Sequence, residues 1–218
     1  MASAAPAPTA PPAPLGLAAR STALLLMDFQ PAILRMLPAE RPPDEAVAAA
    51  ARLLAAARAA RLTVIHVRVC FRAGHPEVGA ASNNVSFARA RANGALLESD
   101  AATGFDARVA PREGEPVVTK RRAGPFAGTE LALLLRAAGA TTIVVAGVST
   151  SGCVLSCVRQ AADDDMRIVV ARDACADADA EVHAVLMGKV FVRQASVVSA
   201  DEAAAAMAAA AAAAEAAQ

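Results

Sequence analysis

Short apolar runs recur along this chain, and a helical pattern follows most of them. The first covers Thr22–Met27 and ends at Asp28; others occupy residues 62–69, 116–119, 141–146 and 167–171, and a last one lies within 190–198. Runs this apolar suit strands buried on both faces of a parallel sheet. Between them, residues 44–61, 129–138, 154–163 and 179–187 carry helical patterns. Asp44 is placed to cap the first of these helices, and Gly139 stands where a C′ glycine ends the second. Such alternation predicts an α/β fold: a single-domain, open, mainly parallel sheet with helices on both faces.

A length of 218 residues suits one domain, placed at 19–218. Residues 1–18 are rich in Ala and Pro and are expected to be a disordered tail. The first 14 have neither a basic start nor a continuous apolar stretch, so they do not read as a signal peptide. The alanine tract at 203–214 reads as a helix, since Ala is the best helix former, and not as a membrane span. Residues 70–114 are irregular, which in a compact domain points to a lid, a binding loop or an interface loop.

Charge narrows the partners. Lys plus Arg equals Asp plus Glu at 21 each, so no electrostatic footprint for nucleic acid or an anionic membrane is expected. Trp and Tyr are absent, which leaves little to stack on bases. Of the four cysteines, Cys153 and Cys157 are one helical turn apart and no second pair at metal spacing follows. That argues against a zinc ribbon and a disulfide framework, and a reducing, cytoplasmic compartment is the expectation. His66, His75 and His183 form no Asp-x-His or His-x-x-x-His pair, so no metal site is expected. Neither a Gly-x-Gly-x-x-Gly nor a Walker loop is present, so no nucleotide cofactor is expected.

The site is proposed by one segment, Gly147-Val148-Ser149-Thr150-Ser151-Gly152-Cys153-Val154, which follows the strand at 141–146. It places a thiol beyond the carboxyl end of a strand, where open α/β sheets bind ligands. It also places it at a helix amino end, whose partial positive charge favours the thiolate. Asp28 and Lys120 end two other strands on the same sheet edge. A thiol nucleophile needs a proton acceptor, a balancing cation and oxyanion donors. Cys153, Asp28, Lys120 and the backbone amides of Ser149 and Cys153 supply that set. Singly, each has a structural reading: a buried cysteine packs, an Asp caps, and Lys120-Arg121-Arg122 is a solvated basic triplet. Cys70, Cys157 and Cys175 read as packing. Phe29, Arg72, His75 and Phe126 are candidate pocket residues.

Three separated motifs resemble the isochorismatase-like cysteine hydrolase family over roughly residues 20–200. They are Leu26-Met27-Asp28-Phe29-Gln30, the stretch from Lys120 through Phe126 and Thr129 to Leu131, and Gly147 through Val154. The resemblance implies a six-stranded, mostly parallel sheet and a triad of Asp28, Lys120 and Cys153. It further implies a cis peptide between Val148 and Ser149 that turns the Ser149 and Cys153 amides toward the oxyanion, and a homo-oligomer, either dimer or tetramer. Nicotinamidases of that family carry an Asp-x-His metal motif after the second strand. This chain instead has Val69-Cys-Phe-Arg-Ala-Gly-His-Pro-Glu77 there. The implied activity is metal-independent hydrolysis of a small amide or related C–N bond through a thioester. The alternatives are vinyl ether hydrolysis with Asp28 as the acid, and an idle binding protein on the same fold.

Overall fold

The computed structural model describes residues 15–40 and 43–217. Among them are six strands: β1 (Thr22–Met27), β2 (Thr63–Val69), β3 (Val117–Lys120), β4 (Thr142–Val148), β5 (Arg167–Ala176) and β6 (Ser196–Val198). They form one sheet in the order β3-β2-β1-β4-β5-β6, with every neighbouring pair parallel. The order reverses between β1 and β4, which creates a crevice at their carboxyl ends, where doubly wound sheets hold ligands.

Side-chain alternation assigns each face its cover. Leu24 and Leu26 of β1 join Val64, Val144 and Val169 against the helices α2 (Asp44–Ala59) and α7 (Ala200–Ala216). Ala23, Leu25 and Met27 join Ile65, Ile143 and Val170 against α4 (Leu131–Ala137) and α5 (Leu155–Asp163). Both faces are therefore buried, which is why β1 and β4 tolerate no polar alternation. Two shorter helices, α1 (Pro31–Leu34) and α6 (Ala180–Val185), follow β1 and β5.

Several boundaries differ from those expected. The stretch 70–114 contains a helix, α3 (Val85–Ala92), capped by Asn84 accepting from the Phe87 amide. It rests on a small core of its own, made of Val69, Phe71, Val78, Ala90 and Leu96. β5 runs on to Ala176 because its register against β4 slips from Val145↔Val170 to Gly147↔Cys175, and the strand bulges across the extra residues. β6 keeps only three residues because Phe191, fully buried, anchors a helical turn where a strand was expected. Asp44 starts α2 but makes no capping bond; its carboxylate pairs with Arg108 instead. Residues 1–14 of the expected tail lie outside the described residues. Leu15 and Leu17 pack on the α2/α7 core, and the Leu15 and Gly16 carbonyls accept from Arg167, so the domain is joined before residue 19.

Candidate active site

Asp28 follows β1 directly. Its amide still bonds the Val67 carbonyl, while its φ of +59° puts it in the left-handed region, a conformation that Asp tolerates better than most residues. Gln30, fully buried one step on, clamps this corner. Its side-chain amide donates to the Val69 and Thr103 carbonyls at 3.0 and 2.8 Å, and its Oε1 accepts from the Val69 amide at 2.8 Å. The ends of β1 and β2 are thereby tied together with the Thr103 loop. Lys120, the last residue of β3, places Nζ 2.8 Å from Asp28 Oδ2 and 3.1 Å from the Arg122 carbonyl. Both charged side chains are almost wholly buried, at 2% exposure for Lys120 and 5% for Asp28. The other oxygen, Asp28 Oδ1, is buried with no hydrogen-bond partner.

Cys153 arrives from β4. The chain passes through a cis peptide between Val148 and Ser149, as the resemblance implied. It then makes one π-helical turn over Thr150–Val154 before α5 begins at Leu155. The Cys153 thiol donates to the Ser149 carbonyl at 3.5 Å and adjoins the Asp28 carboxylate. Two glycines make room for this packing. A Cβ on Gly147 would stand 3.0 Å from Met27 and 3.2 Å from Cys153 Sγ, and one on Gly152 would stand 2.7 Å from Ser149 Oγ. Their smallness thus serves the sulfur and the turn.

The expected electrostatics of the thiol are reversed. Cys153 lies inside the turn, and burial pushes its thiol well above the ordinary range, followed by the adjacent Asp28 charge, with Lys120 opposing. Burial also raises the Asp28 carboxyl, against the pull of Lys120. Burial therefore opposes the thiolate that a helix amino end would favour. Cys157 and Cys175 are buried, with thiols pushed up to about 12, first by burial, as packing residues are. All four cysteines are free.

A cavity of about 430 Å³ opens onto these groups. Asp28, Lys120, Ser149 and Cys153 line it together. Ile33, Met36 and Leu37 form one wall, and the face of α3 bearing Ser86, Phe87, Arg89, Ala90 and Asn93 forms another. None of the four expected pocket side chains is among its lining residues. Phe29 turns into the core, and Phe126 packs against the α4/α5 core and lines a separate depression. Arg72 pairs with Glu77 at 2.7 Å from an exposed position. His75 is buried against Phe71 and bonds the Ala95 carbonyl at 2.8 Å, bracing the loop under α3. Adjacency to Asp28 or membership of a loop does not set side-chain direction.

Two residues escaped sequence reasoning. Asp177, beyond β5, accepts from the Ser151 amide at 2.7 Å and so fixes the turn that carries Cys153. His183 Nδ1 meets Thr150 Oγ1 at 2.8 Å on the other side of that turn. The run Asp173-Ala-Cys-Ala-Asp177-Ala-Asp179 carries no sign of which acid turns inward. Among the described residues no group of three or more His, Cys, Asp or Glu is arranged to hold a metal ion, and no helix is long and apolar enough to cross a membrane.

A doubly wound parallel sheet places a thiol, a carboxylate and an ammonium on one cavity at its switch point, an arrangement that suits a hydrolytic enzyme. Comparison with known proteins agrees. Residues 22–202 match the model of the isochorismatase domain, and the chain belongs to the isochorismatase family of hydrolases. It is 32% identical over 158 residues, 72% of each chain, to the maleamate amidohydrolase of Pseudomonas putida. It is 34% identical to YecD, an uncharacterised family member of Escherichia coli, over 86% of this chain and 97% of that one. The structure of an isochorismatase family protein from Burkholderia thailandensis superposes with a TM-score of 0.76 at 27% identity, over 86% of this chain and 96% of that chain.

Proposed function

We propose that this protein hydrolyses a small amide or related C–N bond through Cys153, in a reaction that assigns no step to a metal. The observation that carries the reading is the Asp28 carboxylate: one oxygen is held by Lys120, the other is buried without a hydrogen-bond partner, and Asp28 and Cys153 line one cavity. Asp28 takes the Cys153 proton as sulfur attacks the substrate carbonyl. The Ser149 and Cys153 amides hold the oxyanion. Lys120 keeps Asp28 ionised against its desolvation and balances the charge that builds up. On collapse the C–N bond breaks, and Asp28 returns the proton to the departing nitrogen. Water, deprotonated by Asp28, then attacks the thioester; the carboxylic acid leaves and the thiol is restored. The amidohydrolase relative supports an amide as substrate.

A panel of small amides, ureas and carbamoyl compounds tests this, with covalent adducts followed by mass spectrometry. In Cys153→Ala, turnover is expected to fall by at least about 10³-fold, and Asp28→Asn should be comparably inactive. Full turnover in Cys153→Ala would sink the mechanism. One observation favours a second reading: burial raises the Asp28 carboxyl, as suits an acid protonating a vinyl ether. Under that reading Cys153→Ala stays active on a vinyl ether and Asp28→Asn does not.

A further inference from the structure

The bulge in β5 decides which side chain meets the turn that carries Cys153. Before it, Val145 of β4 faces Val170; after it, Gly147 faces Cys175 and Val148 faces Ala176, so the register has slipped by three residues. Continued one step past Val148, the slipped register sets Asp177 beside Ser149, where the turn opens; the earlier register would have set Ala174 there. Extra strand residues next to a site re-aim a side chain. Here they bring a carboxylate where a methyl group would otherwise stand. Asp177 is almost wholly buried, at 6% exposure, and lines the cavity together with Ser149, Gly152 and Cys153. Both of its oxygens are engaged by backbone amides, Oδ2 by Ser151 at 2.7 Å and Oδ1 by Asp179 at 3.3 Å. The Gly152 and Val154 amides turn the other way and donate to the Ser149 carbonyl at 3.2 and 3.3 Å. The middle of the turn is therefore held from outside it, and a carboxylate is a strong acceptor for a backbone N–H.

We propose that Asp177 is a positioning residue: by holding the Ser151 amide it sets the direction of the Ser149 and Cys153 amides on either side and fits them to the oxyanion. Peptide units are planar, so a turn that pivots at Ser151 carries its neighbours' N–H groups with it. Oxyanion donors work only when they are already within hydrogen-bond reach of the place where negative charge develops. With both oxygens on backbone amides, Asp177 acts through the turn and not on the substrate. The role rests on the thiol reading above, because it needs a sulfur adduct whose oxygen these amides can hold.

The test uses a small aldehyde, propanal, against an alkylating reagent, iodoacetamide. The Cys153 sulfur adds to the aldehyde carbon, the C=O electron pair moves to oxygen, and the thiol proton completes a thiohemiacetal whose oxygen occupies the oxyanion position. Iodoacetamide alkylates the same sulfur at a saturated carbon, with loss of iodide, and forms no oxyanion. Protection of Cys153 by propanal is followed by mass spectrometry in the unmodified chain, Asp177→Ala and Asp177→Asn. The propanal concentration for half protection is expected to rise at least about tenfold in Asp177→Ala, and to stay within about threefold in Asp177→Asn, which keeps an oxygen for the Ser151 amide. Labelling without propanal should change by less than about threefold in both, since no oxyanion forms in that reaction. Thermal melts check folding, and Asp177→Ser, whose hydroxyl is one bond too short, replaces an alanine variant that does not fold. Unchanged half protection in the alanine or serine variant overturns the proposal, and so does a loss of labelling together with protection, which marks a merely structural role. If amide turnover is still lost in Cys153→Ala, either result leaves the thiol reading standing. A Cys153 that resists iodoacetamide in the unmodified chain removes both.

Discussion

At the level of single residues, the site turns on a buried ion pair and a missing side chain. Asp28 and Lys120 stand 2.8 Å apart with almost no exposure, so each charge depends on the other. Removing one partner strands a charge in a dry interior, at a cost of about 3–5 kcal/mol. Lys120→Met is therefore expected to lose about that much in urea denaturation, whereas Asp28→Asn combined with Lys120→Met recovers part of it, since no lone charge remains. A double variant no more stable than the worse single one would show that the pair is not coupled. Gly147 contributes by absence: its neighbours Met27 and Cys153 already occupy the space that a methyl would take. Asp, Lys and Cys were each legible in the sequence as strand-terminal residues. Their pairing was not, because a sequence shows which residues end strands but not how far apart those ends lie.

At the level of elements, the working parts are strand ends and the loops that tie them. Gln30 joins β1, β2 and the Thr103 loop by three hydrogen bonds in a fully buried setting. Gln30→Leu keeps the volume and leaves those backbone groups without their partner, so a loss of roughly 2–4 kcal/mol is expected in urea denaturation. A loss below about 0.5 kcal/mol would mean that the loop closes by other contacts. α3 shows why the loop was read as irregular. Its cavity-lining residues include exposed Ser86, Arg89 and Asn93 beside Phe87 and Ala90, so the apolar period is broken. A helix that lines a cavity need not present the stripe of a helix that covers a core. α2 and the helices after β3 and β4 do cover the core, and these were legible.

Across the whole molecule, a polar network around Glu115 and His66 of β2 is expected to contribute to acid stability. Glu115 accepts both prongs of Arg58 at 2.7 and 2.8 Å, together with the Arg112 amide and His66 Nε2 at 2.9 Å. Hydrogen bonding to Arg58 is the leading cause that holds its carboxyl at about 2. A carboxyl with a lowered native pKa contributes stability that is complete above its unfolded value of about 4.5 and is lost as pH falls through about 2. The contribution is on the order of 3 kcal/mol. His66 acts in the same sense, since burial holds it below its usual 6.5 and its share erodes as pH drops below that value. Urea midpoints measured from pH 7 to pH 3 should decline, and Glu115→Gln should flatten the steep acidic part. An unchanged profile in that variant would place the acid sensitivity elsewhere.

Composition and periodicity determined the fold class, the strand-ending residues and the family motifs, because burial on two faces and the 3.6-residue helical repeat are written locally in the chain. Tertiary structure alone decided that Asp28 keeps one buried oxygen without a hydrogen-bond partner, that burial raises the Cys153 thiol, that Asp177 accepts from the Ser151 amide in its turn, and that Arg89 lines the cavity while Phe29, Arg72, His75 and Phe126 do not. Those facts depend on side-chain direction and desolvation at a place where residues more than 100 positions apart meet. Such distances arise only when the sheet closes its order, and no local pattern encodes them.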